Sequence, residues 1–120
     1  MFFKPFFYYH ITNKENDMNE LKIPEGIKND PNAMEMIRVW IGNKDIQVSM
    51  LLGMWEEASN GELDEREAWG ELLADLVRHI ANGLTQSHDY NKDASEQRIA
   101  NSLLNHLGFG ANTIQGNIEE

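Results

Sequence analysis

The sequence predicts an α+β domain in which an antiparallel β-hairpin packs against two α-helices, in the order β-β-α-α. Three observations carry the prediction. Two short runs, MIRVWI at 36–41 and IQVSMLL at 46–52, alternate apolar side chains with the period of a strand and flank a Gly42-Asn43-Lys44-Asp45 turn. A longer run from Leu63 to Gln86 repeats apolar residues at helical spacing. A second helical pattern follows and ends at Leu107, just before Gly108.

Composition limits what such a domain does. A chain of 120 residues supports one modest core. Lys and Arg number 10 against 20 Asp and Glu, and the net charge of −10 opposes binding to phosphate backbones and to acidic membranes. With no cysteine there are no disulfides, thiolate zinc sites or cysteine nucleophiles, which fits a cytoplasmic protein. No internal repeat or low-complexity tract interrupts the chain.

The first eleven residues, MFFKPFFYYHI, hold six of the eleven aromatics and give way to a polar stretch before Met18. Lys4 and Pro5 break the apolar run and no small-residue cleavage site follows, so a signal peptide is disfavoured. Residues 1–17 read as a disordered extension or an upstream translation start, with a single domain over 18–108. In DPNAME, Asp30 is placed to cap a short helical turn that opens on Pro31.

If Asn43-Lys44 forms a two-residue loop, Ile41 faces Ile46, Val39 faces Val48 and Ile37 faces Met50. Apolar side chains then meet along one face, making the hairpin the natural cover for the long helix. The other face carries Met36, Arg38, Trp40 and Leu51. An isolated hairpin is marginal and a face bearing Trp and Met marks a contact surface. Two copies could join edge to edge into a larger sheet or bury these faces against each other. In a monomer, Ile23, Ile27 or the second helix would have to cover them.

GMWEEASNG reads as a connection, with Trp55 folding back on the core and Asn60-Gly61 forming a turn. Asp64 and Glu67 have the spacing of a capping box, which starts the long helix at Glu65. Trp69, Leu72, Leu73, Leu76, Val77, Ile80 and Leu84 share one face, each worth roughly 1.5–3 kcal/mol when buried. Glu67, Glu71 and Asp75 are repelling i,i+4 neighbours on the opposite, solvated face. Gly70 suggests close approach of another element beside Trp69. Asp93 and Glu96 repeat the capping spacing and open the second helix, with Ile99, Leu103, Leu104 and Leu107 inward. Gly108 ends it, Phe109 packs back on its last turn, and 109–120 reads as a flexible tail.

Asp30-Pro31, Glu35, Arg38-Val39-Trp40, Ala68-Trp69-Gly70, Leu73-Ala74-Asp75 and Arg78-His79 carry a resemblance. Over Leu21 to Leu107 the chain resembles a family of short bacterial proteins known as a domain of unknown function. The RVW strand and the WG, LAD and RH helix are its most specific pieces, and neither is a catalytic signature. The resemblance implies no activity, cofactor or site residue.

Candidate chemistry is sparse. Asp75 and His79 lie one helical turn apart, where a carboxylate can orient an imidazole as a general base. Such a pair is also a common boundary contact, and no nucleophile motif stands nearby. Asp89, Asn91 and Asp93 alternate as in the first half of an EF-hand calcium loop, but Ala94 and Ala100 stand where its glycine and bidentate glutamate belong. His10, His79, His88 and His106 lack zinc-ligand spacing. The sequence therefore favours a non-catalytic, cofactor-free homodimeric interaction or accessory domain, with Met36, Arg38, Trp40 and Leu51 at the interface. The alternative is a small-ligand-binding protein or enzyme with its site near Asp75 and His79. Net charge adds a basic protein as a further partner.

Overall fold

The computed structural model describes residues 18–109. The extension read over 1–17 and residues 110–120 of the tail read over 109–120 lie outside them. The chain divides between Leu51 and Leu52 into two compact units. An antiparallel hairpin in the first and helices in the second realise the α+β class in β-β-α-α order, with one further short helix. No helix among the described residues is long and apolar enough to cross a membrane.

In the first unit, a 3-10 turn over Glu25–Ile27 follows Pro24. Asp30 caps the expected turn, which does not extend into a helix. Its Oδ1 accepts the Asn32 N–H at 2.9 Å and its carbonyl oxygen accepts the Ala33 N–H at 3.2 Å, closing a single turn. Such local bonds compete with helix propagation, and the chain enters strand at Ile37, four residues beyond Ala33. Strand β1 spans Ile37–Gly42 and β2 spans Asp45–Met50.

The register is the expected one. Ile41 pairs with Ile46, Val39 with Val48 and Ile37 with Met50. Leu51 N–H donates to the Met36 carbonyl at 2.9 Å, so the ladder continues past the assigned strand ends. The loop is Asn43-Lys44, with φ of 51° and 63°. Two successive left-handed residues form the type I′ turn whose twist matches that of paired strands.

In the second unit, the expected connection contains a helix, α1, over Met54–Ala58, entered through Gly53 at φ 92°. Helix α2 spans Glu65–His88 and starts where the capping pattern placed it. Asp64 Oδ1 accepts the Arg66 N–H at 2.8 Å, and the Arg66 guanidinium closes on the same carboxylate at 3.0 and 2.7 Å. Asp89, left-handed at φ 64°, ends α2.

Helix α3 spans Lys92–Leu107, opening earlier than Asp93 would allow. Asn91 is its cap, with Oδ1 accepting the Ala94 N–H at 2.8 Å, and Asp93 falls in the first turn. Both residues satisfy the composition of a cap, and only Asn91 stands where its oxygen reaches a free N–H. Gly108, at φ 89°, closes the helix while Phe109 N–H donates back to the Leu104 carbonyl at 2.9 Å. This is a Schellman ending.

Helices α2 and α3 pack together. Among the described residues only Ala81 and Ser95 are buried, one on each helix. Small side chains there permit close approach, and Leu84 and Ile99 are half-buried. The wider face expected to be core is divided. Trp69, Leu72, Val77 and Leu84 are half-buried, while Leu73, Leu76 and Ile80 are exposed. On α3, Ile99 and Leu104 are half-buried and Leu103 and Leu107 exposed. Periodicity identifies an apolar face without fixing how much of it one neighbour covers.

Candidate functional site

The Asp75 and His79 side chains do not meet. Asp75 Oδ1 accepts from Arg78 Nη1 at 2.7 Å, and His79 Nδ1 lies 2.9 Å from the Asp75 backbone oxygen. The carboxylate faces a guanidinium while the imidazole turns to the main chain, so neither is arranged as an acid–base dyad. Both are exposed.

The Asp89, Asn91 and Asp93 segment is used by the helices it joins. Asp89 terminates α2, Asn91 spends its oxygen on the Ala94 N–H, and Asp93 lies in the first turn of α3. An acidic residue there is favoured by the helix dipole. No group of three or more His, Asp or Glu among the described residues is arranged to hold a metal ion. His88 and His106 are exposed, with Nδ1 of each near a serine oxygen: Ser87 Oγ at 2.6 Å and the Ser102 carbonyl at 2.7 Å.

The hairpin residues assigned to an interface are unevenly exposed. Met36 and Trp40 are half-buried, and Leu51 is 38% exposed. Arg38 is held by Glu35 through Nε at 3.1 Å and Nη2 at 2.9 Å, a two-point contact at the strand entrance. The more open apolar surface is the opposite face. Val39 is 56% exposed, Ile46 54% and Met50 53%, with Ile41 and Val48 also exposed.

One polar side chain of the second unit joins three residues and was missed by sequence reasoning. Glu65 Oε2 accepts the Gly53 N–H at 2.7 Å and the Trp69 indole N–H at 3.0 Å, while Oε1 accepts the Glu56 N–H at 3.0 Å. Burial alone would raise its pKa. The backbone donors of α1 and the indole outweigh that and hold it below the usual glutamate value. Glu65 thus caps α1 from the first residue of α2. Over this contact the Trp55 and Trp69 rings meet edge to face, 5.4 Å apart at 88°.

Beside this junction runs a groove of about 280 Å³. Its apolar lining includes Trp55, Leu63, Ala68 and Leu72, and its polar lining includes Glu67, Glu71 and Asp75. The carboxylates of this face are exposed, as expected, and they also border an apolar depression. Nothing in the helical period of α2 could reveal this, because Trp55 and Leu63 come from outside that helix.

No curated protein matches the chain. Among solved structures, the chain is similar to one described as "a putative pyruvate dehydrogenase from the photosynthetic bacterium Rhodopseudomonas palustrus CGA009", at 19% identity and a TM-score of 0.54. The match covers 78% of this chain and 87% of that one, and at this identity it is a likeness of fold. The family model for the domain of unknown function DUF5076 matches residues 20–108. With its hairpin, capped helices and RVW and WG segments all inside that match, the chain belongs to the DUF5076 family.

Proposed function

We propose that the chain is a cytoplasmic bacterial interaction or accessory domain without catalysis of its own, working as a homodimer whose contact surface includes the hairpin. The observation that carries this reading is the exposed apolar face of Val39, Ile41, Ile46, Val48 and Met50. A two-stranded sheet is marginal in water, and an open apolar face is a surface for association. The Met36, Arg38, Trp40 and Leu51 side remains a second contact, with Glu35 fixing the Arg38 guanidinium at its edge. Both strand edges also offer backbone groups for pairing between copies. The cysteine-free composition fits a reducing compartment.

The reading of a ligand-binding or catalytic site at Asp75 and His79 has less support, since the two side chains are engaged with Arg78 and the backbone. Light scattering at low and high micromolar concentration tests the proposal. A dimer is expected, and a monomer throughout would overturn it. A thermal-shift screen of metabolites tests the alternative, because a specific ligand raises the melting temperature by mass action.

A further inference from the structure

We infer that the groove between α1 and the first half of α2 is a docking site for a basic amphipathic peptide segment of a protein partner. The depression has an apolar lining that includes Trp55, Leu63 and Leu72, with Trp55 and Leu72 half-buried and Leu63 exposed. Its volume of about 280 Å³ falls just below the roughly 300–1,000 Å³ typical of small-molecule sites, so it suits a few side chains of a peptide. Trp55 is held in place by its edge-to-face contact with Trp69, a ring fixed in turn by Glu65. A rigid aromatic wall is the usual anchor of a protein contact.

Charge complementarity names the occupant. Glu67, Glu71 and Asp75 lie along the groove at i,i+4 spacing and are exposed. Among the described residues, Glu67 and Glu71 make no salt bridge, and Asp75 is paired with Arg78. Like charges at this spacing disfavour the helix that carries them. Lys or Arg flanking an apolar residue relieves that repulsion while the apolar side chain enters the groove. A second copy of this chain, at −10, brings the wrong sign to the same rim. The inference rests on the reading as an interaction domain and holds for monomer and dimer alike.

The test is fluorescence anisotropy with a labelled amphipathic peptide, KLLKLLKKLLKLL, in about 0.15 M salt. The expected result is a micromolar Kd, weakened about tenfold or more by the double substitution Glu67→Gln/Glu71→Gln and by Leu63→Ser. Gln matches Glu in helix propensity, and Leu63 is exposed outside the helices, so both variants keep the fold. Circular dichroism verifies this. Equal binding of a peptide with Ser at every Leu would show attraction by charge alone and overturn the proposal. So would unchanged affinity in either variant, or no binding at about 100 µM. Light scattering of the free protein reports dimerisation separately, so either idea can fail without the other.

Discussion

Glu65 Oε2 accepts the backbone N–H of Gly53 at 2.7 Å, joining the first residue of α2 to the entry of α1 twelve positions earlier. The same side chain takes the Glu56 N–H and the Trp69 indole. A five-residue helix is too short to persist by its own hydrogen bonds, because nucleation is unfavourable. The carboxylate satisfies donors that its first turn leaves open. Glu65→Ala is therefore expected to lower the melting temperature by several degrees and to abolish hydrogen-exchange protection at Glu56. Glu65→Gln, which retains one acceptor oxygen, should lose less. Protection at Glu56 that survives Glu65→Ala would show that α1 is held by other contacts.

Acid should weaken the same end of α2. The Arg66 side chain and backbone N–H hold the Asp64 carboxyl at about 2, below its ordinary 3.8. A carboxyl depressed in the folded state contributes stability that is complete above its unfolded value and lost as pH falls through the folded one. Glu65 is depressed too and acts in the same direction. Urea midpoints should fall between about pH 4 and pH 2. Asp64→Asn, which caps a helix without titrating, should flatten part of that slope. An identical slope in the variant would remove Asp64 as a source.

Much of the hairpin was legible because its information is local. Alternation fixed the faces, and the two-residue Asn43-Lys44 loop fixed the register of Ile41 with Ile46. The start of α2 was legible for the same reason, since Asp64 sits directly before it. The Glu65 junction was not, because its partners at Gly53 and Glu56 are set by how α1 meets α2. Asp93 was mistaken for a cap because Asn91, two positions earlier, has an equivalent side chain. The groove was hidden for a similar reason, as the exposed acidic stripe of α2 has no apolar neighbour until Trp55 and Leu63 are placed beside it.

Glycines and left-handed residues give a graded stability series. A Cβ at Gly70 meets nothing within 4 Å, and the residue lies inside α2. Gly70→Ala should stabilise the helix by about 1 kcal/mol. Destabilisation instead would restore the expectation that another element approaches closely beside Trp69. Gly108 has equal space but a φ of +89°, so Gly108→Ala should cost roughly 1 kcal/mol through the backbone alone. Lys44→Gly, at φ 63° in the hairpin loop, relieves a side chain held left-handed and should stabilise by about 0.5–1 kcal/mol. Chemical denaturation midpoints order the three.

The hairpin face offers the decisive measurement of self-association. Val48 pairs with Val39 at its centre, and both side chains are exposed. Lys at position 48 keeps the strand hydrogen bonds while placing a charge among Ile41, Ile46 and Met50. In a monomer this exposed position is nearly neutral, with a change within about 0.5 kcal/mol. In a dimer that buries the face, Val48→Lys removes an apolar contact worth roughly 1.5–3 kcal/mol, so the dimerisation Kd rises by tenfold or more. Sedimentation equilibrium reads the Kd and dilute urea unfolding reads the monomer. A dimer whose Kd is unmoved by Val48→Lys would relocate the contact to the Met36 and Trp40 side or to the strand edges, where Trp40→Lys separates the two.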